Sequence, residues 1–323
     1  MAGQYRIKRR IAQVPVTENG VITIDLPRGY DYEALAFRLY GTINVTTNYT
    51  TVRAENPAQL IKRIEVIADG KNTLHSVPFV MLNRANVFRR GQLGSLTPAS
   101  AATIAAYAIE ATAVIDMGIM DGIRSKDSNL RTSGMSLLQC RFTFGANSDC
   151  FTGAGVGNIT NMFVDVFSSE MIELPDPQTG AITQPLYLQK RAYQDVVFSA
   201  SNANMQVILP VGNIMRGVWI RGEGFTAAGE PQDTVINNII LASGVDVRLN
   251  LPYLDLRAIN KMDYDSTTIP VGICIADLME EGGYNVQASE GWDLTNASEA
   301  KLTLDVNGSA NTKITVVTHE LIR

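Results

Sequence analysis

The sequence predicts an all-β protein built from two tandem eight-stranded jelly rolls, with short helices in the connections. Three observations carry this reading. Strand-length runs of alternating or β-branched residues recur along the chain; one set of short blocks appears twice in the same order; and 323 residues suit two cores of about 150 residues each.

In chain order, Met1 to Gln13 holds Arg6, Lys8, Arg9 and Arg10 and reads as a basic N-terminal arm ahead of the first strand. The runs Val21–Leu26, Leu35–Leu39, Ile61–Ile67 and Leu137–Phe144 follow, each bounded by Gly, Asn, Asp or Pro. Thr97-Pro98, a capping residue followed by proline, predicts a helix through the Ala-rich stretch Ala99 to Ala113. Shorter helical turns are expected at Val80 to Val87 and Leu254 to Lys261. Pro175, Pro177, Gly180 and Pro185 mark a connector, since proline cannot donate to a strand ladder. Strands resume at Met205–Leu209, Val218–Ile220, Ile236–Leu241, Lys301–Val306 and Lys313–Thr318. The resulting limits are an arm over 1–13, a first jelly roll over 14–174, a linker over 175–189 and a second jelly roll over 190–323.

The duplication is the most informative feature. With one residue skipped, Leu60 to Asn86 aligns with Val235 to Asn260, pairing Ile61 with Ile236, Ile64 with Ile239, Leu74 with Leu249, Pro78 with Pro252, Leu82 with Leu256 and Asn86 with Asn260. Upstream, Ile24 to Gly29 with Leu35 to Arg38 matches Val207 to Gly212 with Val218 to Arg221. Downstream, Val164 to Ile172 matches Ile314 to Ile322. The offset falls from 174 at Asn86 to 150 at Val164, so 24 extra residues lie between those points of the first copy. About eight strands per copy with long connections suit a jelly roll better than an up-and-down barrel, and an immunoglobulin-like sandwich would leave residues over.

These blocks, the Leu-Pro-x-Gly element and the Ile-x-x-Ile with Pro-aromatic-aliphatic element in both halves, resemble the double jelly-roll major capsid proteins of tailless icosahedral viruses, the tectivirus and adenovirus lineage. Within it the chain is most similar to the compact forms of membrane-containing bacteriophages such as corticoviruses, autolykiviruses and finnlakeviruses. The resemblance, from Val14 to Arg323, implies a pseudo-hexagonal homotrimer tiling an icosahedral shell over an internal membrane. It also implies synthesis in the host cytoplasm, residence in the virion capsid, and penton or minor capsid proteins as further partners. No cofactor is implied, nor is enzyme activity.

Composition bears on the same question. Apolar residues make up 46% and charged residues only 18%, which leaves much surface to Thr, Asn, Ser and Gly, or to neighbouring copies. With 27 Lys+Arg against 32 Asp+Glu, sequence-specific nucleic-acid binding is not expected. Arg6, Lys8, Arg9 and Arg10 are the candidate contact to anionic lipid on the inner face; a solvated tail is the plain alternative. No secretory signal is read at the N-terminus, and the longest weakly polar stretch, Thr103 to Met120, is too polar to span a membrane.

Other residues point to no chemistry. Gly153, Gly155 and Gly157 lack the remainder of a phosphate-binding fingerprint. Asp116, Asp121 and Asp127 lack the twelve-residue calcium loop. His75 and His319 have no nucleophile elbow. Cys140 and Cys274 read as buried, Cys150 as open to exposure, and Trp219 and Trp292 as core or interface. A carbohydrate-binding or adhesin-like tandem module is the alternative function, disfavoured by 7% aromatic residues and no export signal. A tandem jelly-roll hydrolase would need a carboxylate pair or nucleophile constellation that the sequence does not display.

Overall fold

The structure is a computed structural model and describes residues 4–91, 93–118, 129–173, 187–224, 229–264, 269–279 and 291–322. The first part of the chain forms β1 (Gln4–Pro15), β2 (Val21–Asp25), β3 (Asp31–Thr47), β4 (Thr51–Val52), β5 (Ile61–Ala68), β6 (Asn72–Val77), α1 (Phe79–Ala85), α2 (Val87–Arg90), β7 (Leu96–Thr97), β8 (Ala105–Asp116), β9 (Leu138–Phe144), β10 (Phe151–Thr152) and β11 (Val156–Glu173). The remainder forms β12 (Leu188–Phe198), β13 (Asn202–Leu209), β14 (Ile214–Glu223), β15 (Ile236–Ser243), β16 (Asp246–Pro252), α3 (Tyr253–Asp263), β17 (Ile273–Asp277), β18 (Trp292–Asp293), β19 (Ala300–Val306) and β20 (Thr312–Ile322).

Contacts divide the chain into two compact units. The first takes in residues up to Asn83 and most of the described residues from Gly94 to Gln189; the second takes in the segment from Arg84 to Leu93 and the chain from Lys190 onward. In the first unit the strand order β1-β11-β3-β8 packs on the order β2-β9-β5-β6. Phe37 of β3 meets Phe142 of β9 edge-on at 5.8 Å, so the two layers share one core, with Leu35, Leu39, Val66, Cys140 and Val164 fully buried around them. In the second unit the orders are β12-β20-β14-β17 and β13-β19-β15-β16, enclosing Val218, Ile220, Ile239, Leu241, Leu302, Leu304 and Val316. Setting aside the two-residue strands, the order in each unit is first-eighth-third-sixth and second-seventh-fourth-fifth, the jelly-roll pattern, twice.

The duplicated blocks fall on matching elements. β5, β6 and α1 of the first unit correspond to β15, β16 and α3 of the second, and the proline that opens each matched string, Pro78 or Pro252, stands immediately before its helix. The helical turns expected at Val80 to Val87 and Leu254 to Lys261 are α1 with α2, and α3.

Two expectations are corrected. The Ala-rich stretch is not a helix: its C-terminal part is β8, in which Tyr107, Ile109, Ala111, Ala113 and Ile115 alternate inward along the strand. A period of two, with β-branched Thr112, Val114 and Ile115, prevails over alanine's helix preference because β3 pairs along its length from Ala34↔Asp116 to Val45↔Ala105. Nor is the basic segment an arm ahead of the first strand. It is the first strand, pairing antiparallel with β11 from Gln4↔Glu173 to Pro15↔Phe163 with a bulge between Arg10 and Ala12. The linker prolines lie outside the described residues.

Candidate functional site: the charged face of the first strand

Strand β1 lies at one edge of its sheet, so its backbone has one partner, β11, and its side chains do the rest of the anchoring. Arg9 forms a two-pronged ion pair with Glu170 of β11, Nε to Oε1 at 3.1 Å and Nη2 to Oε2 at 2.9 Å. Glu170 is 1% exposed, so this carboxylate is desolvated and Arg9 is its counter-charge, assisted by the Ser168 hydroxyl. The hydrogen bond that Arg9 donates to Glu170 raises its guanidinium above the ordinary value, against a smaller opposing effect of burial. Arg6 pairs with Glu33 of β3, which also accepts a hydrogen bond from Ser169 at 2.7 Å.

On the face opposite Arg9 and Glu170, which Arg6 and Lys8 share with Arg10, charges alternate across all four strands. Arg10 of β1 reaches Asp165 of β11 at 3.5 Å; Arg38 of β3 stands opposite Asp165 in register and binds Glu110 of β8 through two bonds of 3.0 Å. That bond raises Arg38 and holds the Glu110 carboxyl below its usual range. The Arg38 guanidinium also covers the Tyr40 ring at 4.9 Å, and the Tyr40 hydroxyl accepts from Gln13 of β1 at 2.6 Å. Among the described residues Lys8 makes no ion pair.

Three of the four predicted lipid-contact residues, Arg6, Arg9 and Arg10, are thus brought to carboxylates, and their side chains keep 54%, 42% and 55% exposure. Sequence reasoning missed the partners Glu33, Asp165 and Glu170, which lie 27 to 161 positions away and follow no local spacing. Replacing Arg9 with alanine is expected to lower stability by about 1–3 kcal/mol, less than for a fully buried pair because Arg9 is part exposed. Thermal unfolding followed by circular dichroism checks this, with Arg9→Lys falling between the two proteins because a lysine cannot make the two-pronged contact.

The remaining predicted residues are placed in the scaffold. Gly153 takes a left-handed turn at φ +84° between β10 and β11, and a Cβ on Gly155 would stand 2.4 Å from the Tyr49 ring, so the Gly-rich loop is a close-packed connection leading into a strand. Asp116 is buried at the end of β8, while Asp121 and Asp127 lie outside the described residues. His75 and His319 are buried in β6 and β20. Cys140, Cys150 and Cys274 are free thiols and all buried; Cys150, read as open to exposure, is buried in the turn immediately before β10, and burial pushes its thiol far up despite the nearby Lys62 and Arg53. Trp219 and Trp292 are both core residues. Among the described residues no group of three or more His, Cys, Asp and Glu is gathered as a metal site. A cleft of about 350 Å³ opens between β12, β13 and β20, walled by Tyr193, Leu209 and Val316, with Glu320 at its side already bonded by Asn213 and Thr318.

The sequence matches no protein-family model and no curated protein. Solved structures do match. The STIV MCP crystal structure superposes with a TM-score of 0.74 at 15% identity, over 99% of this chain and 97% of that one. The atomic structure of Sulfolobus Turreted Icosahedral Virus gives 0.72 at 17% identity, over 98% and 90%. The major capsid protein P2 from Bacteriophage PM2 gives 0.62 at 14% identity, over 99% and 98%. With strand order and near-complete coverage in agreement, this chain has the double jelly-roll fold that it shares with viral major capsid proteins.

Proposed function

We propose that this chain is a viral major capsid protein that assembles as pseudo-hexagonal homotrimers into an icosahedral shell over an internal membrane. The single observation that carries the reading is the repetition of one complete jelly roll, in the same strand order, throughout a chain whose fold matches major capsid proteins end to end. Two similar units per subunit let three subunits approximate six equal edges under closed threefold symmetry, which gives the duplication a purpose. Scarcity of charge supports the same reading, because uncharged surface is readily covered by other copies. In this proposal the protein is made in the host cytoplasm and resides in the virion beside penton or minor capsid proteins.

Sedimentation of the purified chain tests it. Three chain masses at near-neutral pH and moderate salt, with growth to sheets or shells on concentration, is the expected result; a monomer at every concentration overturns the assembly.

Lipid contact by Arg6, Lys8, Arg9 and Arg10 is the second part of the proposal. Its support is Lys8, exposed and without an ion pair among the described residues, beside three guanidinium groups that stay half exposed while paired. Each cation near an anionic surface contributes about 1 kcal/mol. Flotation with phosphatidylserine vesicles is expected to retain the wild-type protein and to lose Lys8→Ser/Arg10→Ser, a combination that spares the Arg9 to Glu170 anchor. Equal flotation of the two proteins removes this part.

A further inference from the structure

Helix α3 is apolar on two sides. Tyr253, Leu256 and Asn260 are buried in the second unit, yet on the other side Leu254, Ile259 and Met262 are 62%, 39% and 80% exposed. Leu254, Ala258 and Met262 succeed one another at four-residue steps, which places them on one stripe. Scattered exposed apolar residues are ordinary; a stripe on a short helix needs a cover.

The internal duplication indicates what that cover is. A shift of 174 residues sets Val80, Ala85 and Phe88 at the positions of Leu254, Ile259 and Met262, and these three are only 7%, 1% and 3% exposed. Apolar character is kept between the copies and exposure is not. In the first copy the segment from Arg84 to Leu93 belongs by its contacts to the second unit, where Phe88 lies edge-on to Tyr264, the residue after α3, at 5.4 Å. Thus the segment that follows α1 in copy one, with Phe88, packs within the unit that holds α3. The corresponding helix of copy two has the same apolar side and, within one chain, no third copy to receive it.

We propose that the Leu254–Ala258–Met262 side of α3 docks onto another molecule of this chain, near Arg90 in the helical segment of its first repeat, the position equivalent to Tyr264. Charge favours this occupant: exposed Asp255 and Asp263 flank the stripe on α3, while Arg84 and Arg90 belong to the helical segment of the first copy. The inference rests on the capsid reading, in which three such contacts close a ring.

The test is Leu254→Asp combined with Met262→Asp, two substitutions at positions exposed in the single chain, with sedimentation and melting temperature measured alongside wild type. A wild-type trimer and a monomeric variant of unchanged melting temperature are expected, with association weakened by ~100-fold or more. A variant that trimerises as wild type does overturns the docking face and leaves the capsid reading standing, whereas a wild type that never associates takes both down. Cross-linking gives a second readout that does not need the variant to stay folded: Met262→Cys chains are mixed with Arg90→Cys chains under copper-phenanthroline oxidation. Because Cys140, Cys150 and Cys274 are buried, covalent dimers in the mixture and in neither chain alone support the contact. Their absence from the mixture overturns it.

Discussion

Replacing Glu223 with glutamine or alanine is expected to cost about 3–5 kcal/mol, because it takes a carboxylate away from a buried guanidinium. Glu223 ends β14 opposite Lys313 of β20, whose ammonium lies 2.7 Å from it, and it pairs with Arg221 two residues earlier on the same strand. Arg221 is 2% exposed, so little water can take over when the carboxylate is removed. Burial by itself would raise the Glu223 carboxyl, but Arg221 and Lys313 outweigh it and bring the pKa down to about 2. The sign of the pH effect follows. The folded value lies below the unfolded one, so this contribution is fully present above the ordinary glutamate range near 4.5 and is lost as pH falls from there toward about 2. Chemical denaturation across that window should show wild type losing stability more steeply than Glu223→Gln. Parallel pH profiles, or a variant as stable as wild type at neutral pH, would contradict the pairing.

Asn260→Ala is expected to cost about 2–5 kcal/mol by exposing two backbone groups to an apolar interior without partners. The Asn260 side chain on α3 donates from Nδ2 to the Ile275 carbonyl and accepts at Oδ1 from the Ile275 amide, both at 2.9 Å, and the residue is 1% exposed. It therefore substitutes for a neighbouring strand alongside β17 and locks the helix to the sheet. Asn260→Asp separates the two bonds: the acceptor remains, the donor is lost, and a carboxylate faces a carbonyl. Equilibrium unfolding of the purified variants should rank wild type above both, with Asn260→Leu no better than alanine. Wild-type stability in Asn260→Ala would rule out the clasp.

Asn260 also shows how far the sequence could be read. Its pairing with Asn86 was visible as the last identity in the repeated string, yet nothing in one dimension shows that its amide replaces a strand. The duplicated blocks were legible because burying one face of a strand and opening a helix after proline leave local, repeated residue patterns, and these landed on β5-β6-α1 and β15-β16-α3. β8 was misread because alanine suits either element, and the choice was made by β3, about 70 residues earlier. The basic segment was recognised for its charge and misplaced in the fold. Its carboxylate partners come from β3 and β11, and pairing across such distances has no periodic signature.

What the sequence by itself determined is the all-β character, the two copies of one unit and their collinear order, since alternation, turn residues and repetition are properties of neighbours along the chain. Only the tertiary structure decided which strands are edges, which carboxylates neutralise Arg6, Arg9 and Arg10, and that one apolar helix side is covered while its duplicate is bare. Those outcomes depend on residues distant in sequence meeting in space, where burial makes a missing partner costly and so sets the identity of each contact.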